Sequence, residues 1–136
     1  MKYIIAVFLI LMATSSVVAQ KHLSDKTLTI VEKIEKNNTY ESPFTGFAGT
    51  ASSQYHNYQD LWKTPTEKEL VELLHYKNAV VRVYSFKALY KKNKKLAEQH
   101  AAELLKDTTS FMTLQGCIAG SETVKNAVRR MLHPTD

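Results

Sequence analysis

The sequence predicts an all-α protein, folded as a short stack of antiparallel helix pairs, with an irregular helical bundle as the alternative. Three observations lead to that reading. The chain has only three prolines and four glycines in 136 residues, whereas an all-β fold punctuates itself with such residues every ~8–12 positions. Apolar residues recur at helical spacing in several segments, which gives each a single apolar face. One segment, residues 78–93, is apolar around most of its circumference, as a helix buried between neighbours must be.

Positions 1–19 are set apart from the domain. Met1-Lys2-Tyr3 supplies a positive start, and residues 4–13 (IIAVFLILMA) form an unbroken apolar run of ten. Val17-Val18-Ala19 then places small residues ahead of a cut before Gln20. That order reads as a secretory signal peptide. The run is shorter than the about 20 apolar residues of a membrane-spanning helix, so cleavage is expected rather than anchoring. Residues 20–136 would remain as one soluble α-helical domain, with a formal charge lowered from +5 to +4 by the loss of Lys2. The expected location is outside the cytoplasm, periplasmic or secreted. The single cysteine, Cys117, excludes an intramolecular disulfide and any multi-cysteine zinc site. The domain must therefore be held together by its core.

Taken in order, the first helix spans 22–36, with positions 23, 27, 30, 31 and 34 on one face and Asn37-Asn38 ending it. Residues 39–51 carry Pro43, Gly46 and Gly49 and read as a loop. A short helix follows over 52–63, capped by Ser52 or Ser53. Thr64-Pro65-Thr66-Glu67 combines a capping residue, a proline at the first helical position and a glutamate three after the cap. Leu70, Leu73 and Leu74 then share a helical face. Asn78 caps the all-round apolar helix, which runs through about Asn93, and Lys91-Lys92-Asn93-Lys94-Lys95 breaks the pattern. A further helix carries Leu96, Ala97, His100, Ala101, Leu104 and Leu105 on one stripe. Residues 107–121 are Thr-rich and read as a loop with a short extended segment at 110–115. The last helix starts near Ser121, buries Val124, Ala127, Val128, Met131 and Leu132, and stops at His133-Pro134.

An internal echo supports the stacked arrangement. Glu72-Leu73-Leu74 and Glu103-Leu104-Leu105 end two comparable amphipathic helices. The helix after the first of them has the polar cap Asn78, then Val81-Arg82, small Ser85 and Ala88-Leu89. Over residues 66–106 this resembles a HEAT-like repeat of the short type found in phycobilin-lyase-like proteins. The resemblance implies a scaffold or binding surface and carries no fixed chemistry. About two repeats are covered, fewer than the roughly three an array needs to bury a continuous core, so the helices at 22–36 and 52–63 are expected to supply the cap.

Candidate sites are few. Cys117 has no histidine near it in sequence and no nucleophile signature around it, although an enzyme using it with the 107–120 loop is the alternative to a binding protein. His22, His56, His75, His100 and His133 are scattered, and no pair has metal-ligand spacing. Neither a metal nor a cofactor is called for. Glu67, Glu69, Glu72, Glu98 and Glu103 read as solvated helix faces. The aromatic residues are uneven: Tyr40, Phe44, Phe47, Tyr55, Tyr58 and Trp62 crowd into one segment, 40–62. They are the candidate partner-binding surface, set against the simpler reading that they close the open end of the stack. The basic cluster Lys87, Lys91, Lys92, Lys94 and Lys95 fits attraction to anionic envelope surfaces better than nucleic-acid binding, which export argues against. The expected function is a non-catalytic exported binding or scaffold protein with a protein partner in the cell envelope. A structural envelope component is the blander alternative.

Overall fold

The computed structural model describes residues 23–134. The leader expected at 1–19, its cut before Gln20, and His22 lie outside the described residues. Among the described residues, seven helices accompany a four-stranded sheet. In chain order they are α1 (Asp25–Asn37), β1 (Thr39–Thr45), β2 (Thr50–Ala51), α2 (Ser53–Lys63), α3 (Glu67–Leu73), α4 (Ala79–Lys92), α5 (Lys94–Gln99), α6 (Ala101–Leu104), β3 (Ser110–Gly116), β4 (Ile118–Thr123) and α7 (Val124–Leu132). No helix among them is long and apolar enough to cross a membrane.

The sheet overturns the all-α expectation in both its forms, the stack of helix pairs and the irregular bundle. The protein is mixed α/β. Both segments read as loops, 39–51 and 107–121, supply its strands, in the order β2-β1-β3-β4. β1 and β2 form a short antiparallel hairpin, β3 and β4 a longer one, and the two hairpins join through parallel pairing of β1 with β3. The physical reason for the difference is that each strand buries very little. In β1 only Glu41 is buried, in β3 only Phe111, and in β4 no residue is. A strand that leaves most of its side chains to solvent has no period-2 apolar signal to read.

The helical layer follows its residues closely. Thr27, Ile30, Val31 and Ile34 are the buried face of α1, and Asn38 ends it in the left-handed conformation at φ 55°. Ser52 is the N-cap of α2 and Asn78 that of α4. In α4, Val80, Val81, Val83, Tyr84, Ser85, Phe86, Ala88 and Leu89 are all fully buried, because α2, α3, α5 and α7 all pack against it. Three details depart from the expected pattern. The cap of α3 is Thr66, not Thr64, and it forms a capping box with Glu69. The expected helix over 96–105 breaks at His100 into α5 and α6. Ser121 lies in β4, and Thr123 caps α7 instead. The pair α3–α4 is thus present, but its expected counterpart, the helix ending at Glu103-Leu104-Leu105, is broken and followed by a β-hairpin rather than a second helix.

Polar side chains fasten the corners. Gln54 is fully buried, and its Nε2 donates to the carbonyls of Ile34 (3.1 Å) and Thr39 (2.8 Å), tying the end of α1 to the start of β1. The guanidinium of Arg82 meets Asp107 at 2.9 Å and also donates to the carbonyls of Tyr76 and Lys77. It therefore clamps the α3–α4 turn to the segment that enters β3. Glu69 caps two helices at once: its Oε1 accepts from the backbone N–H of Ser24 at 2.7 Å, and its Oε2 from that of Thr66 at 2.8 Å.

Burial alone would raise the Glu69 carboxyl, but the backbone N–H groups of Ser24 and Thr66, with the Ser24 and Thr27 hydroxyls, outweigh it and hold the pKa at about 2. A depressed carboxylate contributes stability above its unfolded value, and that contribution is lost as pH falls through the folded one. Glu69→Gln should therefore be less stable than the wild type at neutral pH. The gap should close between the ordinary carboxyl value of 4.5 and about 2, as read by urea denaturation across that range. A gap independent of pH would contradict the double-cap role.

Candidate partner-binding surface

The six aromatic residues singled out in the sequence divide into two groups. Tyr40, Tyr55, Tyr58 and Trp62 pack inward or along the helices, whereas Phe44 and Phe47 stand in solvent. The inward group is organised by α2 and α4. Tyr55, Tyr58 and Trp62, spaced three and four apart, form one stripe of α2. Tyr84, Lys87 and Lys91 form the facing stripe of α4. Tyr58 stacks on Tyr84 with ring centroids 5.2 Å apart, and Tyr40 from β1 stacks on Tyr84 at 4.7 Å.

The lysines complete this stripe. Lys87 Nζ lies over three rings, 4.7 Å from the centroid of Tyr58, 5.3 Å from Tyr40 and 5.6 Å from Tyr55. Lys91 Nζ sits 3.8 Å over Trp62. Ring faces attract cations, by roughly 0.5–2 kcal/mol depending on how far the pair is desolvated. Two features that are separate in the sequence, the aromatic-rich segment and part of the basic cluster, are thus one contact in the fold. Among the described residues no carboxylate pairs with Lys87. Burial, reinforced by Lys91 one turn along, pushes its ammonium below the ordinary lysine value.

Phe44 and Phe47 occupy the other end of β1. Phe44 is 62% exposed and Phe47 wholly so, in the turn between β1 and β2. That turn is stitched to the β3–β4 turn. The Gly46 N–H donates to the Gly116 carbonyl at 3.0 Å, and the Gly116 N–H donates to Ser42 Oγ at 2.9 Å. Gly116 has φ 59°, which a two-residue hairpin turn requires at this position and which glycine adopts without strain. Ile118 follows at 71% exposure. Phe44, Phe47 and Ile118 are therefore exposed at one end of the sheet, in or beside two turns held together by hydrogen bonds. Ile118 escaped the sequence reading because its neighbourhood read as a loop.

Cys117 lies in the same turn and is exposed, with no hydrogen bond to its thiol among the described residues. Of the described histidines, His56 meets Gln59 and His75 meets Glu103. Among the described residues no group of three or more His, Cys, Asp or Glu side chains is placed to hold a metal ion. Glu69, expected on a solvated face, is buried as the double cap described above. On the sheet, an open cleft of about 430 Å³ is lined by Tyr40, Thr113, Gln115, Gly120, Ser121, Glu122 and Arg130. Glu122 and Arg130 form an ion pair at its rim. Burial dominates the Tyr40 phenol there and holds it at about 12, so it stays neutral and able to donate.

Neither a family model nor a curated protein matches the chain. The geometry of the site is therefore the basis for its function.

The caged ammonium is directly testable. In an NMR titration of its side chain, Lys87 should lose its proton below the ordinary lysine value of 10.5. Titration at or above that value would show that the cage is open to water.

Proposed function

We propose that this chain is a non-catalytic exported binding protein that engages a protein partner in the cell envelope through the apolar end of its sheet. The observation that carries this reading is the exposure of Phe44, Phe47 and Ile118 in or beside two turns that are hydrogen-bonded to each other. Large apolar side chains grouped on a surface lose their exposure when a partner docks, and phenylalanine is among the residues enriched in interfaces. The scaffold behind them supports such a role. Tyr40 anchors β1 on Tyr84, and the Lys87 and Lys91 contacts hold α2 against α4, so the turns are presented from a fixed base. Tyr55, Tyr58 and Trp62 belong to that base and are poor probes of binding, since replacing them disturbs packing as well. Residues 1–19 support the exported location, and the formal charge of +4 on residues 20–136 favours approach to anionic envelope surfaces.

The test uses the double substitution Phe44→Ala, Phe47→Ala in residues 20–136. Both side chains are exposed, so stability should change by no more than about 0.5 kcal/mol in urea denaturation. Crosslinking to native envelope protein should fall by roughly tenfold or more, as expected for loss of interface anchors. Unchanged crosslinking in a folded double variant would contradict the proposal.

A further inference from the structure

We propose that β4 is a dimerisation edge, along which two copies of this chain join their sheets. The two edges of the sheet are built differently. The β2 edge is two residues long, lies beside Pro43, and flanks a strand whose pairing shifts register between Glu41 and Thr45. Short length, proline and bulges are the devices that keep an edge from recruiting another strand. The β4 edge has none of them. It runs six residues, Ile118 to Thr123, in unbroken register with β3, without proline or lysine. Among the described residues no side chain or backbone group hydrogen-bonds to its outer side. Alternate backbone N–H and C=O groups therefore point outward with only water to meet, and the group that satisfies them is another extended strand.

The sequence of β4 selects a second copy as that strand. Antiparallel pairing about a two-fold axis at Gly120 sets Gly120 opposite Gly120 of the second copy, Ala119 opposite Ser121, and Ile118 opposite Glu122. Small residues meet at the centre, and no like charges face each other. The one ionised side chain on the strand, Glu122, is already neutralised by Arg130 of its own chain. Ile118 and Ala119, both exposed in the single chain, become flanked by the second copy. Of the described strands only β4 offers a bare edge of this length, so a copy of the chain itself brings the complementary one. The result is a continuous eight-stranded sheet, with the Phe44–Phe47–Ile118 ends directed to opposite sides of the dimer.

Sedimentation velocity of residues 20–136 in reducing buffer, at up to about 500 µM, is the test, paired with amide hydrogen exchange at the same concentrations. A dimer is expected, with the Ile118–Thr123 amides exchanging more slowly as concentration rises. Ser121→Lys places a charge on the edge and should weaken association about tenfold or more with an unchanged circular dichroism spectrum. The Phe44→Ala, Phe47→Ala variant should dimerise as the wild type does, which separates this edge from the surface assigned to the protein partner. A monomer at the highest concentration would overturn the proposal. So would a dimer whose β4 exchange is independent of concentration, one abolished by the double phenylalanine substitution, or one that forms only without reductant.

Discussion

Tyr84 is the joint on which the two layers of this protein depend. It sits in the middle of α4 with no exposed surface, its ring held between Tyr40 of β1 and Tyr58 of α2. Its hydroxyl oxygen accepts from the backbone N–H of Glu41 at 2.8 Å. A buried phenol needs a polar partner, and a strand N–H without one is costly. One side chain thus satisfies both requirements between segments distant in sequence. Burial also pushes the Tyr84 phenol well above its ordinary value, so it remains neutral in any ordinary buffer. Apart from this contact, the sheet is attached to the core by few buried groups, chiefly Phe111, and by the corner bonds of Gln54 and Arg82.

That arrangement explains what was legible in the sequence. Helices carry their signal locally, so the buried faces of α1 and α4 and the cap Asn78 could be read directly, and the α2 cap narrowed to Ser52 or Ser53. The Thr66 cap was displaced by two positions because Thr64-Pro65 offers the same chemistry at the neighbouring site. What decided between them was the reach of Glu69 to Ser24, far back in the chain. The sheet was not legible. TYESPFT and IAGSET have no alternating apolar pattern, their one buried residue being Glu41, and the parallel pairing at the centre of the sheet joins β1 to β3 across the whole of α2 to α6. Hydrogen bonds between distant backbones leave no mark in composition. Nor does a shared turn such as Gly46–Gly116, and so Ile118 could not be grouped with the phenylalanines.

The aromatic segment illustrates the same division. In sequence it is one cluster with two readings, closure of the fold or contact with a partner. In the structure each reading has its own residues. Tyr40, Tyr55, Tyr58 and Trp62 hold α2 and β1 on α4, with Lys87 and Lys91 lying on their rings. Phe44 and Phe47 are exposed at the far end of β1 and in the turn after it. The basic cluster loses part of its apparent freedom in the same way, since three of its five lysines, Lys87, Lys91 and Lys94, lie over aromatic faces. A surface that looked charged and diffuse is thus a braced helix pair, and the exposed apolar groups are confined to one end of the sheet.

The most direct test of the joint is native-state hydrogen exchange across rising denaturant, comparing the wild type with Tyr84→Phe. In the wild type, the slowest amides of β1, β3 and α4 should converge on one opening free energy, because sheet and helices unfold together. In the variant the sheet amides should open about 1–3 kcal/mol more easily than those of α4, the cost of leaving a buried N–H unpaired. Sheet amides that open well below α4 in the wild type would contradict the account. A variant in which the two layers remain joined would contradict it equally.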